Sequence, residues 1–515
     1  MNLKFNEMVV ILALVFSSVS YAQEKVLTLR LLSEPQTLDW NRANTTVETH
    51  VLVNLMEGLL GLDEKLQVVP ALAKSWKVSP DGKVYTFVLR QDVKWSDGVG
   101  LKAQDFVFSW KRLLTPATAS PNAYFLFDIE GAEAYQSGNI QDFNQVGIQA
   151  LDDYTLRVKL KHPVAYWAYL PTYWATFPLR QDLVEKHGDK WSMPKHMVTL
   201  GPYRLESHEH DAKIVLTANP NYFGKKGNVD KVVARIVADD TTALKLYETG
   251  ELDFLSEIPS LELPRLKGRS DLKEFPYLKT GYFGFVTSRF PSSSQKFRQA
   301  VAMALDKSKL PELLLGHQKP ASSLVPPPLL ASKLPGVPFD PVRARALLKE
   351  SGIDFKKPIQ IDFLLSNTEK SLTIGQWMQG ELKKNLGIQV TLQPFDNKTF
   401  RSNLKLFQTS GFILVWGADY PDPDNFVSIF LSNSGNNNPN WKNKHYDEMV
   451  LEARSLQDTK EREKLYLEIQ NFLISDQAVI IPLYYEPNLA LVRNRVKKLN
   501  LNPLNYLYVG QAVVD

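Results

Sequence analysis

A chain of 515 residues with 44% hydrophobic and 23% charged side chains is long enough for two or three hydrophobic cores and ordinary enough to be globular. The absence of cysteine rules out disulfides, thiolate metal centres and a cysteine nucleophile, while leaving the compartment open. Its 60 basic and 56 acidic residues leave a net charge of +4 with no long basic run, so nucleic acid is not an expected partner.

In chain order, Lys4 precedes an apolar run from Met8 to Phe16, too short for a bilayer, which takes roughly 20 residues. Ser20 and Ala22 then hold the small-residue positions a signal peptidase reads. Residues 1–22 are therefore read as a cleaved secretory signal, and without cysteine at the cleavage site no lipid anchor is expected. Val26 to Leu32 alternates and predicts the first mature strand. Thr49 to Leu60 has helical spacing, with Val51, Leu52, Leu55 and Leu59 or Leu60 on one stripe. From Val84 to Leu89 the period is two, between the turn dipeptides Asp81-Gly82 and Asp97-Gly98, which predicts a hairpin-rich region.

Lys213 to Thr217 and Val232 to Val237 read as strands. Asp340-Pro341 opens a helix closed by Gly352, with an N-cap and Pro at the first helical position. Leu372 to Leu386 reads as a helix stopped by Gly387 and followed by the strand Ile388 to Leu392. Asp458 with Glu461 is a capping-box pattern opening a helix to about Ile474, before the strand Val479 to Leu483. Alternation of this kind favours mixed α/β domains. The Pro- and Ser-rich Pro320 to Pro338 reads as a surface connection.

His208 and His210 alternate beside Asp211, but with no fourth ligand in sight they read as exposed turn residues, and no metal or cofactor is expected. No zincin, nucleophile-elbow or Walker motif occurs, and Asp422 with Asp424 is an ordinary loop pair. An enzyme is not expected.

Five segments in order carry a resemblance. They are Pro70 to Trp110 (PALAKSW, VSPDGKVYTFVLRQDVKWSDG, AQDFVFSW), Gly201 to Gly224, Thr241 to Phe254, Phe297 to Lys307, and Val415 to Phe426 (VWGADYPDPDNF). Together they resemble the peptide/nickel class of extracellular solute-binding proteins, whose best-known members bind oligopeptides. In that pattern PALAKSW is a helix ending in its Trp. The resemblance implies an α/β, two-lobed periplasmic-binding-protein fold, hinged and type II-like, with an extra subdomain inserted in the first lobe. The implied division is 23–66, 191–283 and 488–515 for the first lobe, 67–190 for the insertion and 284–487 for the second lobe. It also implies a periplasmic monomer that captures short peptides and delivers them to ABC-transporter permease subunits in the inner membrane. Relatives that bind murein peptides, sugars, nickel or haem, or that act as receptors or chaperones, are the alternatives.

By the same resemblance Asp419 pairs with a peptide α-ammonium, a reading the physics favours because an enclosed cation needs a fixed counter-charge. Trp416 walls the site, and Gly417 bares the backbone for strand addition. Val47, Glu48 and Thr49 face it, while Tyr282, Tyr484 and Tyr485 fall at the lobe crossings. The family's arginines for the ligand carboxylate are replaced by Leu404 and Ile413, which leaves Arg401 and Lys405 as local cations, with Lys405 or Lys370 able to meet a carboxylate.

Overall fold

The computed structural model describes residues 24–330, 332–353 and 358–515, so the expected secretory signal lies outside the described residues. Alternation commits Val26–Leu31 to a strand whose Leu27, Leu29 and Leu31 are buried. It sits inside a seven-stranded sheet ordered Leu272–Phe275, Asn488–Val492, Phe254–Ser256, Val26–Leu31, Lys231–Ile236, Lys213–Ala218, Tyr203–Glu209. Val26–Leu31 is parallel to both neighbours, and the remaining pairs are antiparallel.

A six-stranded sheet forms the second layer system, ordered Lys319–Pro320, Ile480–Tyr485, Lys279–Phe285, Gly411–Gly417, Gln360–Ser366, Gln389–Phe395. The helices Gln295–Met303, Pro341–Glu350 and Glu369–Leu386 bury Phe297, Leu347 and Met378 against Phe283, Phe363 and Leu365 of this sheet. Asp340 caps the middle helix by accepting from the N–H groups of Val342 and Arg343, and Gly387 ends the longest in the left-handed region (φ +68°). Between residues 60 and 200 a four-stranded antiparallel sheet, Ala73–Val78, Val84–Leu89, Thr155–Lys159 and Ile148–Asp152, packs on the helix Ala103–Leu114. Arg112 of that helix grips Asp39 through two hydrogen bonds of 2.5 and 2.8 Å, which ties the insertion to the loop after the first strand.

The result is a two-lobed α/β molecule with an inserted subdomain. The chain passes between the large sheets twice, through 276–278 and through 486–487. The expected lobe boundary at 283/284 falls inside the strand Lys279–Phe285, so the change of sheet comes earlier than the sequence reading put it.

Two further expectations are corrected. PALAKSW is not a helix: Val68–Pro70 and Ala73–Val78 are strands, the latter paired Trp76 to Phe87 and Val78 to Tyr85 across the Asp81-Gly82 turn. The ladder overrides the helical preference of Ala-Leu-Ala-Lys. Nor is the stretch after Pro320 wholly a surface connection. Ala321, Leu324 and Val325 are buried, with the Ala321 N–H on the Leu483 carbonyl (3.0 Å) and the Val325 N–H on Gln470 Oε1 (2.9 Å).

Candidate functional site

Gly411–Gly417 runs antiparallel to Lys279–Phe285 along its whole length. On its other edge the strand Gln360–Ser366 pairs only with Gly411 and Phe412. From Ile413 onward that edge has no strand partner among the described residues. Val415 is exposed, and Trp416, Gly417, Ala418 and Asp419 are half-buried. Main-chain donors and acceptors left open on a sheet edge accept another strand.

The turn that follows is braced from several sides. Asn425 Oδ1 accepts from Trp416 Nε1 (3.1 Å) and from the Asp419 N–H (3.1 Å), and the Asn425 carbonyl also takes Trp416 Nε1 at 2.9 Å. Arg454 holds Asp424 with hydrogen bonds of 2.8 and 3.1 Å, and Arg462 holds Asp422 with 2.8 and 2.7 Å. Tyr420 donates to Asp424 (2.9 Å) and stacks on Tyr166 at 4.9 Å. Asp422 and Asp424 are therefore structural.

Asp419 differs from them. Burial pushes its carboxyl up to about 6, against the pull of hydrogen bonds from Asn425 and Tyr124. Among the described residues no lysine, arginine or histidine pairs with it. Its surroundings are tyrosines: burial first, and then the Asp419 charge, raise the hydroxyls of Tyr124, Tyr173 and Tyr506. Tyr124 and Tyr173 come from the inserted subdomain and Tyr506 from near the C-terminus, so three parts of the chain converge on one carboxylate. Asn425 and these tyrosines were missed in the sequence. Asn425 lies inside the VWGADYPDPDNF segment and was legible there, whereas the tyrosines, more than 80 residues away in the chain, carry no local signal.

The other expected site residues divide. Val47 is half-buried on the main core. Glu48 is not a free ligand group: its buried carboxylate accepts from the N–H groups of Gln36 (3.0 Å), Asn44 (3.0 Å) and Thr45 (2.6 Å), closing a capping box on the helix Thr46–Leu55. The Thr49 hydroxyl is likewise spent on the Thr45 carbonyl (2.9 Å). Tyr484 is core, its ring lying over Gly281. Tyr485 donates to, or accepts from, the Ser323 hydroxyl at 2.6 Å, and its oxygen accepts the Ser323 N–H (3.1 Å). Lys405 donates to the Gly435 carbonyl (2.6 Å) and Asn438 Oδ1 (2.9 Å), which secures a loop and occupies its ammonium. Leu404 and Ile413 are buried.

Tyr282 is not at a crossing but within Lys279–Phe285, fully buried against Phe412 and Phe430. Its hydroxyl and that of Thr280 have no hydrogen-bond partner among the described residues. The register pairs Thr280 with Trp416 and Tyr282 with Leu414, which puts both hydroxyls on the sheet face of the Trp416 ring. Near the crossings, Lys279, Lys370, Gln318, Glu257 and Glu486 line a polar cavity of about 100 Å³, with Lys370 ion-paired to Glu486.

Residues 67–438 match the model of the bacterial extracellular solute-binding proteins, family 5 middle. The chain is similar to the probable deoxycholate-binding periplasmic protein YgiS of Escherichia coli, 32% identical over 96% of this chain and 94% of that one. It is 31% identical to the periplasmic oligopeptide-binding protein OppA of Salmonella typhimurium, over 97% and 94% of the two chains. Its fold is that of the solved Escherichia coli murein tripeptide binding protein MppA, with a TM-score of 0.82 and 29% identity over 96% and 99% of the chains.

Proposed function

We propose, for a chain that belongs to the bacterial extracellular solute-binding proteins of family 5, that its interlobe cleft captures short peptides by their main chain and α-ammonium and delivers them to an ABC-transporter permease. The observation that carries this reading is the open edge of Val415, Trp416 and Gly417, which ends two residues before a carboxylate without a cation. A peptide laid on that edge completes its main-chain hydrogen bonds whatever its side chains. Its ammonium then meets Asp419, and the two charges share one desolvated pocket walled by Trp416 and the tyrosines. Tyr282 and Thr280 lie beneath the Trp416 ring on the same face, fully buried, and back the wall rather than touch the ligand.

With Leu404 and Ile413 buried and Lys405 engaged, the ligand's far end is held without a dedicated arginine. The deoxycholate named for one relative is itself a carboxylate, and like charge beside Asp419 disfavours it here. The protein is read as a monomer of the periplasm, exported by removal of 1–22, that binds without catalysing. Its lobes are taken as 24–66, 191–275 and 488–515 against 279–485, with 67–190 inserted in the first and hinges at the crossings 276–278 and 486–487. Such lobes close on ligand.

Calorimetry on wild type and Asp419→Ala, each with free, N-acetylated and C-amidated peptide, tests the reading. Leaving the ammonium buried and unpaired costs about 3–5 kcal/mol, a hundredfold to a few thousandfold in Kd. Acetylation is expected to weaken wild-type binding severely and to change little in the variant, while amidation matters much less. Equal affinity of the wild type for free and acetylated peptide would falsify the ammonium role.

A further inference from the structure

The edge hairpin of the first sheet, Tyr203–Glu209 and Lys213–Ala218, carries His208, His210 and Asp211 at its tip. The fold supplies what the sequence lacked, a fourth group. Glu34, in the loop after the first strand, comes within 2.7 Å of His208 Nε2 and 3.1 Å of His210 Nδ1, both measured to Oε1. Its Oε2 accepts the Asp211 N–H at 3.0 Å, which pins that residue in the left-handed turn (φ +54°). The other ring nitrogen of His210, Nε2, lies 3.3 Å from Asp211 Oδ2. Both nitrogens of one imidazole therefore face carboxylates. A neutral imidazole has a single N–H, so one of those contacts sets a lone pair against an anion. Two carboxylates thus converge on one imidazole, a concentration of negative charge that either a second ring proton or a bound cation offsets.

We infer that Glu34, His210 and Asp211, with His208 holding Glu34 in place, form a binding site for one divalent transition-metal ion of the Zn²⁺ class on the outer edge of the first lobe. Ligand atoms of Glu34, His210 and Asp211 lie within 4.8 Å of one another, and His208 adjoins Glu34. A tetrahedral ion with bonds of about 2.0–2.2 Å needs its ligands roughly 3.3 Å apart, a spacing that small side-chain rotations reach from here. One imidazole with two carboxylates and no thiolate, beside a second imidazole on Glu34, suits Zn²⁺, Cu²⁺ or Ni²⁺, whereas Ca²⁺ and Mg²⁺ favour oxygen alone. Glu34 and His208 are mostly buried and set the orientation, while His210 and Asp211 are exposed and leave an entry path. The ion would clip the hairpin to the loop that leads, through Gln36 and its bond to Glu48, into the helix Thr46–Leu55. This inference is independent of the peptide reading, since none of its groups touches Asp419.

The test uses the mature chain without an affinity tag, titrated with Zn²⁺ against a chromogenic chelator at pH 7.5, and with Co²⁺ followed by its visible spectrum. Wild type is expected to bind one ion at micromolar concentration or tighter and to give a tetrahedral Co²⁺ spectrum. Glu34→Gln, His208→Ala and His210→Ala should each weaken binding by about tenfold or more, with peptide affinity unchanged. The stacked pair His187 and His196, ring centroids 3.8 Å apart, is the control, and its double alanine variant should bind like wild type. The inference is overturned if wild type takes up no stoichiometric Zn²⁺ below about 100 µM, if Glu34→Gln and His210→Ala bind as wild type does, or if the His187 and His196 variant is the one that loses the ion.

Discussion

Within six residues, the turn after Gly411–Gly417 encloses three carboxylates in two different ways. Asp422 and Asp424 are buried, and each is gripped through two hydrogen bonds by an arginine, Arg462 and Arg454 respectively. Asp419 is half-buried among Tyr173, Tyr506, the more exposed Tyr124 and Asn425, and has no such partner among the described residues. The first two are closed circuits, in which Coulomb attraction and hydrogen bonds offset the loss of hydration. The third is open, and its cost is carried by the folded chain until something cationic arrives. A sequence shows three aspartates in a loop; only the placement of Arg454 and Arg462, from the helices Lys444–Ser455 and Thr459–Asn471, separates structure from site.

The largest effect should come from breaking a closed circuit. Asp424→Ala leaves the Arg454 guanidinium mostly buried and unpaired, which is expected to lower the unfolding free energy in urea by about 3–5 kcal/mol. Asp419→Ala removes a charge that no protein group compensates and should leave stability unchanged or raised. Equal destabilisation by the two variants would erase the distinction between the carboxylates.

A second, smaller effect follows from the pH at which the open carboxylate titrates. Its folded value of about 6 stands above the roughly 3.9 of an unfolded aspartate, so the folded chain binds this proton first as the pH falls. The cost of the buried charge is then fully present above pH 6, and is relieved between pH 6 and 4. For the ligand-free protein this is a gain on acidification, on the order of 3 kcal/mol. Peptide affinity should move the opposite way and fall below pH 6, because the ammonium needs the charged form. Burial also pushes Glu57 and Asp105 up to about 6, so only the difference between wild type and Asp419→Asn across pH 4–7 isolates the site. A difference that is flat in pH would mean that Asp419 titrates like a solvated aspartate.

How legible all this was in the sequence depends on the range of the interaction. Helices with their own caps, such as Pro341–Glu350 with Asp340, could be read because the signal lies within a few residues. The Trp-Gly-Ala-Asp-Tyr segment pointed to Asp419 by resemblance. PALAKSW misled because its conformation is set by the facing strand Val84–Leu89, not by its own residues. Glu48 looked like a charge free for a ligand until the fold showed three N–H groups on it. The tyrosines around Asp419, and Glu34 beside His208, come from segments far apart in the chain, and no local pattern announces them.

The last comparison is among glycines of one sheet, and it carries the smallest effect. A Cβ on Gly281 would lie 2.3 Å from the Tyr484 ring, on Gly284 2.3 Å from Phe412, and on Gly411 2.2 Å from Phe283. Packing inside the protein forbids a side chain at all three. A Cβ on Gly417 would meet nothing nearer than Lys279 Cγ at 3.8 Å, and its backbone is not in the left-handed region. The folded chain alone gives no reason for glycine there, so the reason is sought outside it, in the close approach of a ligand backbone along the open edge. Gly417→Ala is accordingly expected to leave urea stability within about 0.5 kcal/mol, while weakening peptide binding by about tenfold, roughly 1.4 kcal/mol. Gly411→Ala, in the same strand but under the Phe283 ring, should do the reverse, losing stability by about 1–3 kcal/mol with affinity preserved in the fraction that folds. Paired denaturation and calorimetry on the two variants decide the matter. If Gly417→Ala binds peptide as wild type does, the open edge is not where the ligand main chain lies.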